Sequence, residues 1–430
     1  MRRQPILMLL TLLLMALPAI SRGATPFVLN PDGAWCWFQD ERAIVYDGKL
    51  TAASMKRHGD LQVTTWDYRK GSVSTFTLRR DFGADDHNVA ALLLRNDGRL
   101  MAFYTMHGRE ARMYWRQTTM PRQADHWDPE AGFDAGVRDK FTYANPFQLR
   151  GEANRIYLFW RGIDWNPTWS CSDDGGMSWR TGANHIYFRK GERPYVKYAS
   201  NGIDTIHFAF TEAHPDTPIS TSLYHCYYKR GGLYTSDGRL VRKLVDGPIH
   251  PSEATKVYDG TNSSTGEAWV WDIALDAAGR PVIAYTSRLT PMDHRYRYAR
   301  WTGDHWEDHQ IAYAGSRLYE REPFYSGGIC LDPDRTNVVY VSSNVDIRTG
   351  SPNGSGRYEI YRGVTNDGGK TWRWQPVTRN SVKDNIRPIV PAHHPGTRFV
   401  LWLRGAYRAY TDYETEVVVD ADAGVAPKAK

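Results

Sequence analysis

After its first 24 residues the chain has no apolar run of the roughly 20 residues that a membrane-crossing helix needs. It has no run of basic residues either. Its net charge is +6, and Arg2, Arg3 and Arg22 carry half of that. Nucleic-acid binding wants a clustered basic stripe, so that class of partner is disfavoured. A mild positive balance suits an anionic substrate. Only four cysteines occur, Cys36, Cys171, Cys226 and Cys330, and none is spaced C-x-x-C. That removes the common zinc and redox motifs. Cys171 and Cys226 fall on equivalent strands of neighbouring repeats and are the one pair suited to a disulfide; buried free thiols are the alternative. No helical period follows the leader, which leaves an all-β chain.

The leader has its own pattern. Arg2 and Arg3 precede an apolar run from Ile6 to Ile20, and small residues close it near Ala24. This is a charged region, a hydrophobic region and a small-residue cleavage site, so residues 1–24 are expected to be a signal peptide. The mature chain, 25–430, is expected in the periplasm or outside the cell, with no membrane span once the leader is removed. Aromatic residues are abundant, with 16 Trp and 26 Tyr. Flat aromatic faces with a polar handle suit sugar rings and strand packing equally.

The body of the chain repeats. NDGRLMAFYT from Asn96, EANRIYLFWR from Glu152, NGIDTIHFAF from Asn201, AAGRPVIAYT from Ala277, PDRTNVVYVS from Pro333 and HPGTRFVLWL from His394 each join a turn to an apolar-alternating strand. A seventh, less regular unit runs from Ala43 to Leu78. An apolar strand precedes each and a polar-aromatic strand follows, giving about four short strands per unit. Such units are propeller blades, and seven of them account for the mature chain as one seven-bladed β-propeller catalytic domain. Two turns agree. Ser172, Asp174, Gly176, Ser178 and Trp179 spell S-x-D-x-G-x-S-W, and Thr365, Asp367, Gly369, Thr371 and Trp372 repeat it. These are Asp-boxes, in which Asp closes a local turn, Gly takes a positive φ and Trp packs beneath.

Blade geometry places residues on one face. The inner strand of a blade starts on the face where the second strand ends. Counting back 13 residues from the first apolar position of each second strand reaches His87, Tyr143, Arg193 and Tyr325, and falls beside Trp269 and Arg387. The ends of two second strands add His107 and Arg161. His87, His107, Tyr143 and Arg161 thus converge at one mouth, as a catalytic site in a concave pocket requires. The chemistry that fits is removal of a proton beside a carboxylate. Arg neutralises the carboxylate, and His or Tyr serves as base and acid. No cofactor is required for this.

WCWFQDERAI from Trp35, DDHN from Asp85, TMHG from Thr105, TYANP from Thr142, LFWRG from Leu158, RPYVKY from Arg193, FTEAHP from Phe210 and DHRYRYARW from Asp293 resemble the BNR-repeat family of secreted polysaccharide-degrading propellers. That family includes ulvan lyases and relatives acting on rhamnose–glucuronate linkages. The resemblance spans Trp35 to Tyr413. It implies a polysaccharide lyase acting on an anionic polysaccharide or oligosaccharide. His87 takes the place of the base, Tyr143 or His107 that of the acid, and Arg161 neutralises the uronate. It also brings Asn88, Tyr195 and Lys197 among the substrate contacts, beside Arg193, Trp269, Tyr325 and Arg387. Some members hold a structural metal ion, to which His214, His225, Cys226 and His294 would contribute here, although their spacing fits no ligand motif.

Two other readings stay open. One is a glycoside hydrolase of the same family, rhamnosidase-like. A two-carboxylate mechanism would draw on Asp85, Asp86, Glu192 or Asp272. A sialidase-like site would draw on Arg161, Arg193, Arg387 and Arg404, yet Arg42 in QDER does not follow that pattern. The other is a non-catalytic glycan-binding propeller.

Overall fold

The computed structural model describes residues 25–422 apart from 137, 263 and 397; the expected leader lies outside them. Seven antiparallel sheets follow one another along the chain. Their inner strands are Ala43–Tyr46, Ala91–Leu94, Thr142–Leu149, Tyr195–Ser200, Glu267–Leu275, Ile329–Asp332 and Asp384–Ile389, which define blades 1 to 7. The architecture is the expected seven-bladed β-propeller. The described residues contain no α-helix, only 3-10 turns of three residues.

The ring is closed by a strand the repeat pattern did not reveal. Phe27–Asn30 pairs with Asp412–Ala421 and becomes the outer strand of blade 7, with Phe27 opposite Val419. Joining the two chain ends in one sheet protects an edge that would otherwise be open. Blade 4 also departs from four strands. Thr255–Tyr258 pairs back onto Leu223–Lys229 and makes its sheet six-stranded. Both Asp-boxes form as expected. Asp174 accepts from the Ser178 amide at 2.9 Å, and Asp367 accepts from the Thr371 amide at 2.9 Å. Gly176 and Gly369 take φ of 96° and 98°, and the Trp179 and Trp372 indoles donate to their carbonyls.

Seven inner strands around an axis leave a hole, and close packing requires that it be filled. The segment Ala34–Asp40 fills it and is buried throughout. Trp37 stacks on Trp271 with centroids 4.0 Å apart, and its indole donates to the Val270 carbonyl. The Trp35 indole donates to the Arg387 carbonyl in blade 7. Asn145 in blade 3 receives the Asp40 amide and donates to the Phe38 carbonyl. Gln39 donates to the His87 carbonyl at 2.6 Å. The WCWFQDER run is therefore a central plug that touches blades 2, 3, 5 and 7.

The plug corrects two expected substrate contacts. Lys197 is fully buried, and its ammonium is bound by Asp40 and the Trp37 carbonyl. Arg387 has no exposed side-chain surface and is paired with Asp86, the Trp35 carbonyl and the Tyr407 hydroxyl. A long cation at an inner-strand position can point outward to a ligand or inward to the axis. Here the buried carboxylates Asp40 and Asp86 draw both inward. Of the two readings of the cysteines the second holds: Cys171 and Cys226 are not bridged, and all four cysteines are buried free thiols.

Removing Lys197 leaves the Asp40 carboxylate buried with only Arg42 as a charged partner. Lys197→Ala should destabilise the fold by about 3–5 kcal/mol, the usual effect of breaking a buried ion pair. A urea melt that matches wild type would contradict the plug's role.

Candidate active site

His87 lies in a 3-10 turn, Asp86–Asn88, that leads into the inner strand of blade 2. Asp85 caps this turn and accepts from the His87 amide at 2.9 Å. His107 follows the second strand of the same blade, Leu100–Tyr104. Tyr143 sits at the start of the blade 3 inner strand, and Arg161 ends the second strand there, with Thr142 and Arg161 paired in register. All four reach one mouth of the ring, as the strand count requires. Tyr143 has φ of +60°, within an irregularity between Thr142 and Asn145. Arg387 repeats the device in blade 7, with φ of +52° and an irregularity between Ile386 and Ile389. Bulges of this kind turn a side chain away from the strand's alternation.

The four side chains form one cluster. The His87 and His107 rings stack with centroids 4.3 Å apart and planes 13° from parallel. Tyr143 lies 5.7 Å from His87 and 6.2 Å from His107. The Arg161 guanidinium stands 4.6 Å from the Tyr143 ring centre and 5.2 Å from that of Tyr195. The Tyr143 hydroxyl donates to that of Tyr195 at 3.3 Å. Arg161 is 4% exposed, and its Nε and Nη1 have no hydrogen-bond partner. Buried donors without partners are rare and costly. A planar cation left open in this way fits a carboxylate.

The two histidines carry different charge. Burial works against a cation at His87, yet the Asp85 and Asp86 carboxylates beside its Nδ1 outweigh it and raise the imidazole well above its usual range. Burial and the neighbouring His87 cation push His107 down to about 4. His107 is therefore neutral at pH 7 and His87 is charged, which suits His107, rather than the expected His87, to accept a proton. Burial and then Tyr195 raise the Tyr143 phenol, so it keeps its proton.

The other expected contacts divide. Tyr195 is in the cluster. Arg193 is at the rim, partly exposed, and held by both oxygens of Asp216 at 2.6 and 2.7 Å. Trp269 and Tyr325 pack on Trp37 and on each other, with centroids 4.9 to 5.3 Å apart. Asn88 needs correction as a substrate contact. Its amide is consumed by the Phe82 and Gly83 carbonyls and the His107 N–H, so it shapes the loop. The four residues expected to hold a metal do not converge. His214 faces Asp216, His225 faces His207 and Ser236, His294 faces the Pro323 carbonyl, and Cys226 is buried in blade 4. Sequence reasoning missed two neighbours. The DDHN run contains Asp85, but only the fold of His107 back onto it shows that it faces both rings. Tyr410, whose ring meets His87 edge-on at 4.9 Å, comes from a blade 7 hairpin with no sequence signal.

A separate, small cavity of about 40 Å³ lies at the other end of the plug, beside Asp40, Asp272 and Cys330. Burial pushes Asp272 up to about 6 there, against the pull of Lys197.

Residues 38–314 match the family described as BNR repeat-containing family member. An ulvan lyase bound to -[GlcA(1-4)Rha3S]- is 17% identical, with a TM-score of 0.66, covering 92% of this chain and 95% of that one. The same kind of lyase without ligand is 16% identical, with a TM-score of 0.66 and coverage of 91% and 95%. A puromycin hydrolase, 11% identical, gives a TM-score of 0.50 over 89% of this chain and 50% of that one. At these identities the likeness is one of fold. No curated protein matches the chain significantly.

Several buried histidines are held neutral by desolvation, His107, His214 and His294 at about 4 and His185 and His207 at about 3. Unfolded histidine takes its proton near pH ~6.5. The unfolded state thus binds more protons as pH falls from ~6.5 toward 4, and stability drops with it. The melting temperature should fall within that window, softened by protonation of the buried Asp272, and should fall again above it as the folded state gives up the His87 proton. A melting temperature constant from neutral pH down to ~4.5 would contradict these charge states.

Proposed function

The chain belongs to the BNR repeat-containing family, and on that premise we propose that it is a polysaccharide lyase cleaving a uronate-containing glycan by β-elimination. One observation carries this reading. Arg161 has two unpartnered, buried guanidinium nitrogens, Nε and Nη1, beside a neutral histidine, a charged histidine and a protonated phenol. Elimination at a uronate needs each of these.

Arg161 takes the uronate carboxylate and lowers its negative charge, which makes the C5 proton removable. His107 accepts that proton at Nε2. The electron pair forms the C4=C5 double bond, and the bond from C4 to the glycosidic oxygen breaks. Tyr143 donates its proton to the leaving oxygen. The charged His87 beside them stabilises negative charge built up on the carboxylate. The products are a new chain end and an unsaturated uronate. The oligosaccharide held by the ulvan lyase of similar fold supports a rhamnose–glucuronate type of substrate. A signal peptide on the leader would deliver the enzyme to the periplasm or the outside.

A hydrolase is the second reading. It draws on the Asp272 carboxyl at the other end of the plug, which burial raises to about 6. Ultraviolet absorbance separates the two. Incubation with glucuronate-containing polysaccharides, ulvan first, should yield the absorbance of an unsaturated uronate. New reducing ends without it would establish hydrolysis, and binding without products would establish a glycan-binding propeller.

The roles have their own signatures. His107→Ala should lower kcat by about 10²–10⁴-fold, the range of general-base catalysis. Arg161→Ala should raise KM and lower kcat together, because it acts on substrate and transition state. kcat/KM should rise as His107 loses its proton near pH 4 and fall only where His87 loses its own, well above the ordinary imidazole value. Wild-type turnover in His107→Ala would overturn the base assignment.

A further inference from the structure

We propose that Asp85 is a positioning residue of this site, whose single carboxylate holds the Nδ1 edges of both histidines and so fixes which face of each ring acts. The inference rests on the lyase reading for its kinetic consequence, but not for its geometry.

Asp85 Oδ1 lies 2.9 Å from His87 Nδ1, and Asp85 Oδ2 lies 2.9 Å from His107 Nδ1. An ionised carboxylate only accepts, so each Nδ1 must carry a hydrogen. The Nε2 edges are then the ones left for substrate, and neither has a protein partner among the described residues. In a neutral ring with Nδ1–H, Nε2 has a free lone pair; in a charged ring it is a donor. The two stacked rings thus receive opposite roles from one group. Stacked at 4.3 Å, they cannot easily both be charged.

No other group can do this for both rings. Asp86 Oδ1 also approaches His87 Nδ1 at 2.8 Å, but Asp86 is bound to Arg387 and Tyr407 and does not reach His107. Of the remaining groups, Tyr143 and Tyr410 border both rings, Cys36 borders His87, and Arg161 borders His107. None of these accepts from an Nδ1. Asp85 is itself held in place, because the His87 amide donates to the same Oδ1. Asn88 then fixes the His107 backbone to the turn that Asp85 caps.

Asp85→Asn is the test. An amide has one accepting oxygen and one donating nitrogen, so one of the two rings must face a donor and change tautomer. On a glucuronate-containing polysaccharide, kcat should fall about 10²–10⁴-fold with KM changed little, the range expected when acid–base groups are misaligned. The alkaline limb of the pH profile should move to lower pH, because His87 loses a neighbouring negative charge. Asp85→Glu should recover at least tenfold over Asp85→Asn. A purely structural role would lower the melting temperature without moving the pH profile.

The second readout needs no activity. Nitrogen-15 imidazole spectra of the substrate-free wild type at pH 7, assigned with His87→Gln and His107→Gln, should show His87 protonated on both nitrogens and His107 on Nδ1 alone. In Asp85→Asn that pattern should change. Unchanged spectra in Asp85→Asn, or Nε2–H on His107 in the wild type, would overturn the proposal. The expected spectra without any unsaturated product would leave the proposal standing and remove the lyase reading instead. If Asp85→Asn does not fold, the wild-type tautomers alone decide.

Discussion

The filling of the propeller's axis is the constraint on which the rest depends. Seven inner strands cannot close the ring tightly enough to exclude a hole, and the chain spends its own segment Ala34–Asp40 on it. That segment contributes large aromatic surface through Trp35, Trp37 and Phe38, and it also brings backbone groups into a dry interior. Those groups need partners, and the inner strands supply them through Lys197, Asn145 and Arg387. The plug turns an open channel into a funnel with a floor. The candidate site rests on that floor: Phe38 packs against Tyr143 and Tyr195, and Gln39 holds the His87 carbonyl.

Charge alternates outward from the axis. The buried Arg387 pairs with Asp86, Asp86 borders His87, His87 borders Asp85, and Asp85 borders His107. Among the first four, each accounts for the ionisation of the next, whereas burial and His87 keep His107 neutral against the pull of Asp85. Burial disfavours isolated charge, so a chain of this kind is stable only when the signs alternate. It ends in a neutral imidazole, beside an Arg161 whose Nε and Nη1 have no partner. The positive charge left over at the mouth is where an anionic sugar would complete the pattern.

Much of this was legible in the sequence. The blades repeat because each must bury the same inner face, so strand count and strand ends followed from periodicity, and with them His87, His107, Tyr143 and Arg161. The Asp-boxes were legible because their geometry is local. What could not be read was anything set by contacts across the ring. Lys197 and Arg387 share a strand-level pattern with surface cations, and only the buried Asp40 and Asp86 decide their direction. Phe27–Asn30 pairs with a strand nearly four hundred positions away, and no spacing rule connects the two. Asp85 stood in a quoted motif, but its part as a bridge between two rings exists only once His107 folds back onto it. The charges of the histidines depend on those same contacts.

The central claim is that the open guanidinium of Arg161 makes a uronate's C5 proton removable. Mass spectrometry of the cleaved glycan tests it most directly, with the native polysaccharide set beside one whose uronates have been reduced to neutral sugars. The account predicts fragments from the native chain whose new non-reducing ends are one water lighter than hydrolysis would leave, and no cleavage of the reduced chain. Fragments carrying the added water, or equal cleavage of both chains, would contradict it.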